Sequence, residues 1–199
     1  MKKLILAGIA IIIASVSASA QLDLTWGVKG GAQLSTLCSN SNSIISYKPT
    51  LGYYGGVEVV AHFSPSSRMV FNWIYSKEGS DYEMKGTNVT GNVDVQYMYD
   101  EILYRFAAGR KQRFSADIGI GAGLPFVGKN RMDGVSGATD FYEKMPIFQL
   151  QTLLGVNYLI GKHLNIQLRV TPFTTKIVKE GDHKASRRSC QLGLMYSFR

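Results

Sequence analysis

From Leu24 onward the chain alternates apolar and polar positions with a period of two, the repeat of an extended strand. The first such segment runs from Leu24 to Leu34. It sets Leu24, Trp26, Val28, Ala32 and Leu34 against Thr25, Gly27, Lys29, Gly31 and Gln33. Further segments are predicted over Thr50–Phe63, Arg68–Lys77, Val93–Ala108, Phe114–Phe126, Pro146–Ile160, Leu164–Phe173 and Ser189–Arg199. Short turns at Ser64–Ser67, Gly109–Arg113 and Gly161–His163 alternate with longer loops at Ser35–Lys48, Glu78–Asn92, Val127–Met145 and Thr174–Arg188. The alternation slips in the fourth segment. Val93, Val95, Tyr97 and Tyr99 share one parity, but Ile102, Tyr104 and Phe106 share the other, which predicts a β-bulge near Asp100–Glu101.

The last segment ends on Phe198, and no later element follows to cover its free edge. Pairing with the first strand closes the set. Eight strands with three short turns and four long loops predict an up-and-down barrel with both termini on the short-turn rim.

Alternation alone leaves open which side faces out, so the polar face decides. It carries Lys29, Gln33, Glu58, Asn72, Asp94, Gln96, Arg105, Asp117, Gln149, Gln151, Asn157, Gln167, Arg169 and Gln191. Nine glycines join them: Gly27, Gly31, Gly52, Gly56, Gly119, Gly121, Gly123, Gly155 and Gly193. Glycine weakens a strand, so a water-facing surface gains nothing from so many. A narrow lumen needs them, to make room for long side chains crossing from the opposite wall. The apolar face holds Trp26, Tyr53, Phe63, Phe71, Trp73, Tyr75, Tyr97, Tyr99, Phe114, Phe126, Phe148, Tyr158, Tyr196 and Phe198, mostly towards strand ends, as in aromatic girdles. The fold class expected is all-β: an eight-stranded antiparallel up-and-down transmembrane β-barrel, apolar side out. A soluble calycin-like carrier with an apolar, ligand-filled lumen is the competing arrangement.

The N-terminus agrees with export. Lys2 and Lys3, the apolar run Leu4–Val16 and Ala18-Ser19-Ala20 have the three-part form of a signal peptide over residues 1–20, leaving a barrel domain over 21–199. Losing Lys2 and Lys3 lowers the formal charge from +8 to +6, too little to indicate nucleic acid as a partner of an exported chain.

Several short motifs carry a family resemblance. They are Gly27-Val28-Lys29-Gly30-Gly31, Ile74-Tyr75-Ser76-Lys77-Glu78-Gly79, Tyr97-Met98 and Leu192-Gly193-Leu194-Met195-Tyr196-Ser197-Phe198. Together the segment resembles the PorT-like outer-membrane β-barrel family of the Bacteroidota. The resemblance implies a Gram-negative outer membrane with both termini periplasmic, delivery by the outer-membrane insertion machinery, and, for the name-giving member, work with secretion-system proteins.

Within the tube, Arg105 and Asp117 flank the Gly109–Arg113 turn at nearly equal distance and are expected opposite each other, with Lys29, Glu58 and Arg169 in the same lumen. Buried charges must be paired, which predicts a salt-bridge network. A structural plug is favoured over a proton or ion path, because a barrel of this size is usually filled. Cys38 and Cys190 have outward parity on neighbouring strands and are candidate disulfide partners, against two free thiols. The last loop groups Lys176, Lys179, Lys184, Arg187 and Arg188 into a basic patch suited to lipopolysaccharide.

Catalysis has little to stand on. His62, His163 and His183 lack metal-ligand spacing. Asp182, His183, Ser186 and Ser189 are close only in sequence, and Gly119–Gly123 lies inside a strand with no helix after it, unlike a nucleotide loop. The expected role is structural or surface-interacting, without catalysis or cofactor. A secretion-machine component and a rim enzyme are the alternatives.

Overall fold

The structure is a computed structural model describing residues 23–38, 45–86, 89–109, 112–133, 137–140, 145–175 and 186–198. The residues assigned to the signal peptide, and Lys176, Lys179, Asp182, His183 and Lys184, lie outside the described residues.

The alternating segments form β1 (Asp23–Cys38), β2 (Ile45–His62), β3 (Ser67–Met84), β4 (Thr90–Ala108), β5 (Phe114–Met132), β7 (Gln149–Leu159), β8 (Leu164–Thr171) and β9 (Ser186–Phe198). A three-residue strand, β6 (Ala138–Asp140), adds to the far end of β5. Each of the eight longer strands pairs antiparallel with its neighbour, β4 bonds β5, and β1 bonds β9 from Trp26↔Phe198 to Cys38↔Ser186. The ring is closed.

The apolar parity faces out. Ile118, Ile120, Leu168, Leu192 and Leu194 are exposed, while Lys29, Glu58, Arg105 and Arg169 are buried. A carrier with an apolar lumen does not fit that arrangement. The outward belt begins and ends in rings. Trp26 stacks on Phe198 at the short-turn end (4.5 Å between centroids), and Tyr75 bridges Tyr53 and Phe126 (6.1 and 5.8 Å) at the other. On β1 the belt spans Leu24 to Leu34, about the 9–11 residues a tilted strand needs to cross a bilayer.

Above that belt the strands continue. β2 to β5 have 18, 18, 19 and 19 residues, against 11, 8 and 13 for β7, β8 and β9. All four of the segments read as long loops are partly sheet, the last of them over Ser186 to Arg188 at the start of β9. The outward side chains change character where the belt stops: Lys77, Asp81 and Glu83 on β3, Asn92, Asp94 and Gln96 on β4, Lys129 and Arg131 on β5. The eight residues from Lys77 to Met84 add about 26 Å of strand beyond the lipid. A wall of four strands stands on one rim.

The fourth strand corrects the sequence reading. Its parity runs unbroken from Val95 to Phe106, so Tyr97 and Tyr99 point inward with Glu101, Leu103 and Arg105, and Asp94 and Gln96 point outward. The bulge lies instead on β5, where Phe126 is the extra residue between the pairs Gln96↔Val127 and Tyr97↔Pro125. The slip in hydrophobicity marks a change of surroundings. In the upper half of β4 the rings go into the lumen, because the outer face there has left the lipid.

Unbroken parity also puts Asp100 on the outer face, exposed between Trp73 and Ala122 in the register. A carboxylate there meets hydrocarbon, so Asp100→Leu is expected to stabilise the barrel by about 1–2 kcal/mol, measured by urea unfolding in lipid vesicles.

Candidate functional site

Among the described residues the buried charged side chains gather in the lumen, and β1 to β5 and β7 to β9 all contribute to it. At its lower level Lys29 donates to Glu58 (3.2 Å), and Arg105 reaches the other oxygen of Glu58 through Nη1 (2.8 Å). Arg105 also forks onto both oxygens of Asp117 through Nε and Nη2 (2.8 and 2.9 Å). Its register partner on β5 is Asp117 itself. Parity and turn length put the pair on the same rung, and a planar guanidinium matches a carboxylate edge.

The next level is centred on Glu101. It accepts from Arg169 (2.7 Å), Asn72 (3.0 Å) and Gln151 (3.1 Å), while Arg169 lies 4.0 Å from Asp117 and so links the two levels. Above it Arg187 donates to Glu78, to the Tyr99 hydroxyl and to Gln151 (2.6 Å for the last), with its guanidinium 5.2 Å from the centres of both the Tyr97 and Tyr99 rings. The rings belong to an apolar cap of Tyr54, Ile74, Val95, Tyr97, Tyr99 and Met145. Gly123 makes the cap possible, since a Cβ there would collide with the Tyr99 ring.

Four cations (Lys29, Arg105, Arg169, Arg187) thus face four anions (Glu58, Glu78, Glu101, Asp117), every one of them buried. The described part of the lumen is neutral. Each charge has an opposite partner within 4 Å, the condition under which ionised groups tolerate burial.

The structure brings together Lys29, Glu58, Arg105, Asp117 and Arg169. Sequence reasoning missed Glu78, Glu101 and Arg187. Glu78 shares parity with Asn72 and Ser76, but was assigned to a loop. Arg187 shares parity with Ser189 and Gln191, and extending the last strand back by three residues would have placed it inside. It is therefore not part of an outer basic patch. Arg188 next to it is exposed, as the alternation requires.

Of the two readings left open for the cysteines, the structure has the free thiols. Cys38 lies opposite Ser186 and Cys190 opposite Leu34, and both thiols are free. Four residues of register separate them, about 13 Å along the strand, where a disulfide needs Cα atoms within about 7 Å. Both face outward near the same rim, but at different heights. Among the described residues no group of three or more His, Cys, Asp or Glu side chains is placed to hold a metal ion.

A closed ring with an apolar outer belt and a charged lumen agrees with the family comparison. Residues 17–172 match the model of the outer membrane protein beta-barrel domain. The chain belongs to that family. No curated protein matches the sequence closely enough to refine the placement. Among solved structures, this outer-membrane barrel is similar to Ail, the attachment invasion locus protein of Yersinia pestis, in complex with the heparin analogue sucrose octasulfate. The TM-score is 0.54 at 13% identity, covering 89% of this chain and 100% of that one. It is also similar to Neisserial surface protein A, with a TM-score of 0.53 at 12% identity, covering 87% and 97%. At such identities the likeness is one of fold.

Proposed function

We propose that this outer-membrane barrel is a non-catalytic surface-interaction protein whose contact element is the wall formed by β2 to β5. The observation that carries the reading is the change of outward side chains on those strands, from rings and aliphatics to Lys77, Asp81, Glu83, Asn92, Asp94, Lys129 and Arg131, while the sheet continues unbroken. A sheet that outgrows its membrane by about 26 Å of strand needs a use for the excess, since a bare barrel is complete at the belt. The wall carries both signs of charge, which suits a protein surface better than a uniform polyanion.

The rest of the chain follows from that role. Residues 1–20 act as the export signal of a mature barrel over 21–199. The insertion machinery seats it with both termini in the periplasm and the wall outside the cell. The ladder from Lys29 to Arg187 is a structural plug, because direct bonds link its levels and the aromatic cap lies over them. Lys176, Lys179, Lys184 and Arg188 of the last loop are suited to lipopolysaccharide phosphates. The PorT-like motifs of β1, β3, β4 and β9 support a second reading, a component of a secretion machine.

Photo-crosslinking tests both. A benzophenone amino acid replacing Asn92 or Asp94 is expected to give a discrete protein adduct in intact cells, and the same group at Ile120 to give lipid adducts only. An adduct that proves to be a secretion component selects the second reading. A wall that yields no protein adduct, or a tag at Gly86 that cannot be reached on intact cells, would remove the first.

A further inference from the structure

Among the described residues, Asp100 is the one charged side chain within the outward belt. Its rung holds Trp73 on β3 and Ala122 on β5, and the next outward positions along β4 are Met98 and Ile102. The carboxyl group makes no hydrogen bond or ion pair with any described residue. Tyr75, part of the upper aromatic girdle, pairs with Met98. Asp100 therefore lies two residues below that girdle, about 7 Å along the strand. A lysine or arginine at such a depth reaches the headgroups along its stem, but an aspartate has a single methylene and does not.

The carboxyl group is open to a neighbour. Ala122 is recessed between Ile120 and Leu124, both of them exposed, which leaves a shallow gap beside Asp100. Above it the outward face of β4 continues through Met98 to Gln96, Asp94 and Asn92 of the wall. One row of side chains thus runs from the hydrocarbon up into the charged surface of the wall.

We infer that the partner of the wall is itself an integral outer-membrane protein, packed against the β3–β5 side of the barrel down to the Asp100 rung; this rests on the reading of the wall as the contact element. The partner presents a basic or N–H-bearing side chain to Asp100. Facing lipid, the carboxyl group is costly whether ionised or protonated, and a donor from a neighbouring chain satisfies it. Polar groups within a membrane hold adjacent segments together by such bonds. A second copy of this chain is a poor match. Among its described residues the belt has no basic side chain, and the outward cations Lys77 and Arg188 stand at the rim.

The test is photo-crosslinking in intact cells, with a benzophenone amino acid at Met98 in the belt or at Asp94 on the wall. Both positions are expected to give the same protein adduct, identified by mass spectrometry as a membrane-spanning chain. Asp100→Leu should lower the Met98 yield about tenfold, and Asp100→Asn, which keeps an acceptor, by less. Heat-modifiable gel migration shows that each variant is folded. Lipid adducts alone at Met98, beside a protein adduct at Asp94, would overturn the inference and leave the wall reading standing. No protein adduct at Asp94 would remove both. Different partners at the two positions, an adduct of twice the chain's mass, or a Met98 yield unchanged in Asp100→Leu would each overturn it.

Discussion

Arg105→Leu is expected to destabilise the barrel by about 3–5 kcal/mol, because it leaves Asp117 and one oxygen of Glu58 buried without their guanidinium. Glu58 would then keep only Lys29 (3.2 Å), and Asp117 only the more distant Arg169 (4.0 Å), in a space that water reaches poorly. The loss reads out as a lower urea midpoint in vesicles and as a smaller folded fraction on an unboiled gel. A companion variant separates pairing from packing. Arg105→Met with Asp117→Leu removes one cation and one anion together and leaves Glu58 with Lys29, and should recover most of the loss, since exchanging a buried ionic pair for uncharged residues is often close to neutral. If the single and double variants were equally unstable, the role of Arg105 would be one of volume.

Ile120→Arg is the second large effect. Ile120 sits midway along the outward belt of β5, between Phe114 and Phe126, and is 64% exposed. In water an arginine on an exposed strand position would cost little. At the centre of a lipid-facing belt it should cost about 2–4 kcal/mol, falling to about 0–1 for Val127→Arg where the belt ends. The gradient from 120 to 127 is the informative quantity, and folding titrations in vesicles measure it. A flat profile would mean that the two positions share one solvent.

How much of this was legible in sequence depended on whether the alternation reported one environment. Where it did, as in β1, β8 and β9, parity gave the inward residues correctly, and Lys29, Gln167, Arg169 and Gln191 lie where the pattern put them. It failed where the barrel's surroundings change along a single strand. On β4 the outer solvent goes from lipid at Phe106 and Ile102 to water at Asp94, and the lumen goes from charge at Arg105 to rings at Tyr97. Hydrophobicity therefore exchanges faces while geometry does not, and a bulge was inferred where none exists. Assigning Glu78 to a loop had the same cause. A polar run reads as loop until something shows that a sheet continues beyond the membrane.

The register of Cys38 against Cys190 was illegible for a different reason. Closure of the ring makes β1 and β9 neighbours, but the stagger between them is set by the whole circuit of pairings, so no local signal fixes it. The pairing of Arg68 with Arg105 was hidden likewise, because the β3–β4 register is set at the far end of that hairpin, where the Met84 N–H donates to the Val89 carbonyl.

Collision of paramagnetic reagents with nitroxides on the outer wall tests the central arrangement most directly. With Cys38 and Cys190 changed to serine, single labels replace Ile118, Leu168 and Asp94 in turn, in lipid vesicles. Dissolved oxygen is predicted to relax the labels at 118 and 168 more than a water-soluble nickel chelate does, and the order is predicted to reverse at 94. Greater access of the nickel chelate at 118 and 168 would contradict an oily exterior around a charged tube.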